Sequence, residues 1–429
     1  MQVVLFEPSH QEDLYPFTRT RPVSALRKGI MTIRETWERI IGDALRKNTE
    51  APFGERVRAL NEMNALDVAA TAALDFGAAA ASDFAAAEGP VLFLNAALMP
   101  DPDVWAQVVA LKKGEAFYDG DTPLAYYAGD KNPVRRSLGD EDARRRTTGG
   151  DDPQRRAPGG EGTQRRMLSA ARVLRYPWEL VHWNDRSLRI DFDLLTAGRT
   201  SQPVPPGNHV VNPDDIFLEE GAKVSFSVLN ASTGPIYIGK NAEVMDGCLL
   251  RGPIALCEGS TLKMGGRTYG ATTLGPYSAA GGEVKNVIMI GYSNKNHDGY
   301  LGDSLIGEWC NLGGGTSCSN VRNNAQPVKV WNPAKGRAEV AGLKAGLFMG
   351  DYSRCAIQTG FNTGAVVGVC CNVFGGNVSG YLPDFSWGLD GTRYDWEKAL
   401  RDIDNWKKLK GRHLTPDEIQ ILQPIFAAV

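Results

Sequence analysis

Histidine is scarce in this sequence, with five copies in 429 residues, so few positions can offer an imidazole that accepts a proton near neutral pH. An excess of charge of one sign is also missing. The 47 Lys and Arg against 50 Asp and Glu leave a net charge of −3, which gives no footing for a nucleic-acid or other polyanionic partner. No apolar run approaches the length needed to cross a bilayer, and Met1-Gln2-Val3-Val4 lacks a signal-peptide layout. A cytoplasmic protein without a membrane partner is expected. Cys-x-x-Cys does not occur among the seven cysteines, at 248, 257, 310, 318, 355, 370 and 371. They read as small hydrophobes in a reducing compartment, not as disulfides or metal ligands, and no metal site is expected from them.

What is present is a period of six. Ile238, Val244, Leu250, Leu256 and Leu262 are evenly spaced, as are Met349, Cys355, Phe361, Val367 and Val373, with Ile306, Leu312 and Cys318 between them. Six fits neither an amphipathic helix nor a half-buried strand. It fits a chain coiling as a parallel β-helix, one inward aliphatic side chain per flat face. The pattern predicts this coil over 209–392, with the repeat broken around Ser293 to Tyr300, where His297 lies. A helical tail is expected over 393–429, opened by Thr415-Pro416-Asp417-Glu418, with Thr as N-cap, Pro at N1 and Glu at N3.

Residues 1–208 read as an α/β domain. Val3 to Phe6 and Val91 to Asn95 are expected strands, Thr32 to Ile41 a helix, and Leu188 to Leu194 an alternating strand. Residues 65–88 are Ala-rich and weakly periodic, fitting a helix and a loop. Residues 131–166 carry four Arg clusters among Gly, Asp, Pro and Thr. With so few apolar groups to offset ordering entropy, a disordered insertion is expected there.

A loop on a rigid coil is a good carrier for a general base, which singles out His297. Arg267 and Lys285 are 18 residues apart, about one turn, and on that spacing would stack as a pair of cations able to hold a phosphate. The same spacing argument sets Asn311 and Asn320 on the side of His297. The stretch from His297-Asp298-Gly299-Tyr300-Leu301-Gly302-Asp303 to Asn311-Leu312-Gly313-Gly314-Gly315-Thr316 and Cys318-Ser319-Asn320, with Arg267 and Lys285 upstream, resembles one particular family. It is the bifunctional N-acetylglucosamine-1-phosphate uridyltransferases/glucosamine-1-phosphate acetyltransferases.

The resemblance implies a Rossmann-like nucleotidyltransferase domain followed by a left-handed parallel β-helix, assembled as a homotrimer. It implies acetyl transfer from acetyl-CoA to the amine of an amino-sugar phosphate, or of a nucleotide-sugar, in nucleotide-sugar biosynthesis. It gives His297 the role of base, with Asn320 beside it in the catalytic group. Arg267, Lys285, Tyr300 and Asn311 would contact the sugar phosphate, and Gly314, Asn320 and Asp351 would line the acetyl-CoA channel. Two positions depart from the family: Val321 follows Asn320 where a tyrosine is usual, and Asp351 stands for a serine.

The segment Thr18-Arg19-Thr20-Arg21-Pro22 and the following Gly29-Ile30-Met31 look like the start of a sugar nucleotidyltransferase, close to a divergent bacterial branch in which Thr-Arg-Pro-Val and Tyr-Pro-Trp recur. On that resemblance Arg19, Arg21 and Lys28 would meet nucleotide phosphates. The stretch after the first strand, Phe6 to Asp13, has no glycine and is acidic, and Asn95-Ala96-Ala97 replaces the usual Gly-Asp ligand. Mg²⁺ is therefore expected only if this domain is active. Three readings stay open: an acyltransferase with or without nucleotidyl transfer, a nucleotidyltransferase whose coil serves only to form trimers, and a non-catalytic scaffold or regulatory subunit.

Overall fold

The computed structural model describes residues 2–47, 58–61, 91–129 and 164–429. The Ala-rich segment 65–88 and residues 131–163 of the expected insertion lie outside the described residues. The chain forms two compact units: one of Met1–Gln11, Pro22–Ala25 and Ile33–Leu174, the other of Glu12–Arg21, Leu26–Thr32 and Arg175–Val429.

The first unit is built on a six-stranded sheet in the order Arg58–Asn61, Gln2–Phe6, Val91–Asn95, Thr122–Gly129, Glu115–Asp119 and Gln164–Met167. Gln2–Phe6 runs parallel to both neighbours, and Val91–Asn95 is buried throughout. The helix Ile33–Lys47 sends Trp37 into the core, where its indole packs 6.2 Å from Trp105 and donates to the Leu98 carbonyl. Gln164–Met167 corrects the expected extent of the insertion, since its last residues are a strand paired with Glu115–Asp119. Arg165 and Arg166 lie over the Tyr118 and Phe117 rings and pair with Asp121 and Glu115. Two arginines that look solvated in sequence thus have aromatic and anionic partners on the neighbouring strand.

The second unit is a left-handed parallel β-helix of about ten turns with a short helical tail. Its interior is three columns of inward side chains. The first runs Leu218, Ile238, Leu256, Leu274, Met289, Ile306, Met349, Val367 and Leu382. The second begins Val224, Val244, Leu262 and Ala280, and the third Val210, Leu229, Leu250, Thr268, Val284 and Leu301. Every member of the three evenly spaced runs is buried in this one core.

The 293–300 segment is not a break. Lys295 keeps the phase of the repeat, midway between Met289 and Leu301, and it sits in the second column beside Ala280. The real excursion is later. Leu312 pairs with Cys355, and the intervening chain carries an antiparallel hairpin, Val328–Asn332 with Arg337–Gly342.

Leu188 to Leu194 is helical, within Asn184–Thr196. The alternation fits a strand, yet Leu188 and Phe192, one helical turn apart, pack on Phe217, Tyr237 and Ala255 of the coil's outer face. Burial of that stripe decides the conformation. The same helix holds the 26–32 segment. Asp191 accepts from the buried Lys28 ammonium at 2.5 Å and from the amides of Ile30 and Met31 at 2.8 and 3.0 Å. Asn184 accepts from the Gly29 amide at 2.9 Å.

One corner of the coil carries non-glycine residues with positive φ: Tyr277, Tyr292, Trp309, Tyr352, Cys370 and Phe385. Each costs about 1–2 kcal/mol in that conformation. Stacking offsets this, with ring centroids 5.2 Å apart for Tyr277–Tyr292 and 4.3 Å for Tyr292–Trp309. The tail helices Trp396–Lys408 and Pro416–Ala427 cover the column with Ile403, Leu422 and Ile425. Thr415 and Glu418 form the expected capping box, and Glu418 also accepts from Tyr352 and Lys407.

Asp191→Ala removes the carboxylate facing Lys28 and the acceptor of two amides. It is expected to lower unfolding free energy by roughly 3–5 kcal/mol in urea titrations of the whole chain. The double substitution Lys28→Met, Asp191→Leu should recover much of that loss, and a double variant as unstable as the single one would refute this account of the clasp.

Candidate active site

His297 is exposed at the corner between the second-face strand Asn294–Lys295 and the third-face strand Tyr300–Glu308. Its turn is held from inside the coil. Lys295 is 2% exposed, and its ammonium donates to the carbonyls of Gly281 at 3.0 Å and of His297 at 2.5 Å. Burial pushes the Lys295 amine down to about 8, with Asp298 opposing the shift. Gly314, one turn further on, stands against the imidazole, and a β-carbon there would lie 3.7 Å from the His297 ring.

Beyond His297 the third face presents two rows across adjacent strands. Arg267, Glu283 and Tyr300 are in register in the first. Arg251, Tyr269, Lys285 and Gly302 are in register in the second. This corrects the expected stacking of Arg267 on Lys285. The turn that joins their strands is shorter than the regular one, so Arg267 faces Glu283 and Lys285 faces Tyr269. The two cations still share a face, in adjacent outward rows of the same strand pair. The Lys285 ammonium lies 5.3 Å from the Tyr269 ring centroid, and the Tyr269 hydroxyl donates to Glu283 at 2.6 Å.

Asn320 joins this face. Its amide nitrogen contacts the Tyr300 hydroxyl at 2.9 Å and donates to Asp303 at 2.5 Å, and Asn286 donates to the other Asp303 oxygen at 3.2 Å. Burial and the Asp303 charge push the Tyr300 phenol up. Asn311 is elsewhere. It pairs in register with Asn294 and Arg354 on the second face, so one coil does not bring it beside Tyr300.

Asp351 is also apart from His297. It is 1% exposed, accepts from the Glu308 amide at 2.8 Å and the Thr20 hydroxyl at 2.5 Å, and is ion-paired with Arg21. Arg21 further contacts Glu308 at 3.2 Å, Arg19 contacts Asp384 at 3.3 Å, and Lys28 is held by Asp191. Each of the three cations expected to meet nucleotide phosphates thus faces a carboxylate within the coil unit.

Two residues are not singled out by sequence, Lys295 beneath the His297 turn and Arg251 on the third face. The signal for Lys295 is its phase in the repeat of six. Arg251 precedes Tyr269 by one regular turn, but no partner motif marks it.

In the first unit Glu7 follows the first strand and accepts from the Val23 amide at 2.8 Å. Burial pushes its carboxyl up to about 7. Asn95 ends the strand Val91–Asn95, donating to the Pro123 carbonyl at 2.9 Å and accepting from the Ala97 amide at 2.8 Å. Among the described residues no group of three or more His, Cys, Asp and Glu is placed to hold a metal ion. Among the described residues, too, no helix is long and apolar enough to cross a membrane. All seven cysteines are buried free thiols.

A carboxyl raised in the folded state binds more protons there than in the unfolded chain between about pH 4.5 and 7, so it lowers stability as pH rises through that window. Glu7→Gln is expected to raise unfolding free energy at pH 8 by about 1 kcal/mol or more. The gain should vanish below about pH 4.5, where folded and unfolded chains both carry the neutral acid. Equal gains at both pH values in thermal melts would contradict it.

Comparison with known proteins agrees with this two-part layout. Residues 3–200 match the sugar nucleotidyl transferase family. The chain is similar to the bifunctional protein GlmU of Methanocaldococcus jannaschii, 42% identical over 89 residues, covering 21% of each chain. It is also similar to the bifunctional sugar-1-phosphate nucleotidylyltransferase/acetyltransferase of Sulfurisphaera tokodaii, 34% identical over 97 residues, covering 22% of this chain and 24% of that one. With GlmU of Zymomonas mobilis it is 24% identical over 243 residues, 52% of this chain and 48% of the other. The matches thus span about a fifth of the first two relatives and about half of the third. By sequence the chain is related to the bifunctional nucleotidylyltransferase/acetyltransferases, with a sugar nucleotidyl transferase match over residues 3–200 ahead of a hexapeptide-repeat coil.

Proposed function

We propose that the coil is an acyltransferase that moves an acetyl group from acetyl-CoA to the amine of a phosphorylated amino sugar, with His297 as general base. The observation that carries this is the ordered face beside His297: the imidazole at the corner against Gly314, then Arg267 and Tyr300, then Lys285. Neither Arg267 nor Lys285 has a carboxylate within 4.0 Å among the described residues, so both are available to an anion.

In this reading the neutral amine attacks the thioester carbon as the imidazole takes its proton. The C–N bond forms and a tetrahedral oxyanion appears. Collapse breaks the C–S bond, and the imidazolium returns the proton to the leaving thiolate. The Gly314 amide makes no hydrogen bond among the described residues, and it stands beside His297. It is the natural donor to the oxyanion. Tyr300, tied through Asn320 to Asp303, would hold the sugar at a fixed depth. Asn311 sits on a different face from Tyr300, which supports a site shared between copies, as in a trimer. A CoA thioester as donor fits a cytoplasmic setting.

The family match over residues 3–200 supports a second activity, sugar-1-phosphate nucleotidyl transfer. Its assay is pyrophosphate release from UTP or dTTP with a sugar-1-phosphate and Mg²⁺. The paired state of Arg19, Arg21 and Lys28 makes this the weaker half.

His297→Ala is expected to lower kcat for CoA-thiol release by about 10²-fold or more, with the far-ultraviolet spectrum and the oligomer unchanged. Unchanged turnover would remove His297 as the base. Turnover absent from the native chain with every amino-sugar acceptor would favour a coil that serves assembly alone.

A further inference from the structure

Resting on the acyltransferase reading, we infer that the acceptor is a nucleoside-diphosphate amino sugar, whose nucleotide lies in a pocket beyond Lys285. The third face has a direction. His297 is at one end, Arg267 and Tyr300 form the next outward row, and Lys285 and Tyr269 the row after that. At about 3.3 Å per residue, an amino sugar with its nitrogen at His297 places its phosphate near these cations. The chain then turns the corner at Gly270, Asn286 and Asp303, all with positive φ, and there a pocket of about 710 Å³ opens.

The pocket's walls divide by chemistry. Arg251 lies in register with Tyr269 and so with Lys285, two cations flanking an aromatic ring. Lys344 and His182 reach the same space from outside the coil. Neither Arg251 nor Lys344 has a carboxylate within 4.0 Å among the described residues. Two carboxylates line the pocket, and both are engaged: Asp185 with Arg189 at 2.9 Å, and Asp303 with Asn286 and Asn320. An apolar wall comes from Val181, Pro253, Ala271 and Leu343.

A sugar monophosphate would leave this space empty. A diphosphate bridges from Lys285 to Arg251, and the nucleoside then meets Tyr269 and the apolar wall. The volume is of the size that takes a drug-sized ligand. Asn320 links the two parts, since it contacts Tyr300 beside the sugar and Asp303 on the pocket wall.

The test uses the whole chain. UDP binding is measured by calorimetry, and CoA-thiol release is measured with UDP-glucosamine and with glucosamine-1-phosphate. Arg251→Ala is expected to weaken UDP binding about tenfold, and to raise the KM for UDP-glucosamine about tenfold more than that for glucosamine-1-phosphate. Lys344→Ala, on a separate loop, should act in the same direction. UDP binding untouched by both substitutions would place the nucleotide elsewhere, on residues 3–200 for instance, and overturn the inference. Equal KM changes for the two acceptors would overturn it too. Calorimetry needs no turnover. Absence of CoA release with both acceptors would sink the acyltransferase reading, while the UDP titrations would still decide the pocket.

Discussion

The second unit depends on register. Each turn lays three inward side chains on the three of the turn before, and the parallel ladder lets no strand slip without turning a whole column outward. Everything of chemical interest is placed by this constraint. Outward residues such as Arg251, Tyr269 and Lys285 align because their inward neighbours Leu250, Thr268 and Val284 align. No loop has to be ordered to bring them together, so the face is already organised before a ligand arrives.

The corners carry a second constraint. A flat-sided coil must bend sharply at every corner, which forces left-handed backbone at fixed positions. Where glycine is used, as at Gly270, the backbone stays open and a neighbouring side chain fills the space. Where an aromatic residue is used instead, as at Tyr292 and Trp309, the strain is offset by stacking and by the tail helices. One corner thus became the seat of the tail, and another, at Asn286 and Asp303, the rim of a pocket.

The coil, its phase of six and the cap of the tail were legible in the sequence because each is local. His297, Tyr300 and Asn320 were legible as a motif, and the structure brings Tyr300 and Asn320 into contact. The exact stacking of Arg267 was not legible, because one shortened turn shifts the register and nothing local marks it. The helix Asn184–Thr196 was hidden by alternation that fits both periods, and only its burial against Phe217 and Tyr237 decides. The partners of Arg19 and Arg21 lie at the far end of the chain, at Asp384 and Asp351. No spacing rule reaches that far. Segments inside 1–208 therefore belong to the coil unit, which the linear pattern of a domain followed by a repeat does not disclose.

A stacked array owes its stability to the coupling between neighbouring rungs. In this one the second column holds Lys295 between aliphatic rungs, with a charged head that needs carbonyl partners where others need only contact. The ladder is also longest at this turn, where Glu283–Gly291 pairs with Tyr300–Glu308 at seven positions. The corner that carries His297 is therefore set from two sides, by the long strand pair that follows it and by the ammonium beneath it.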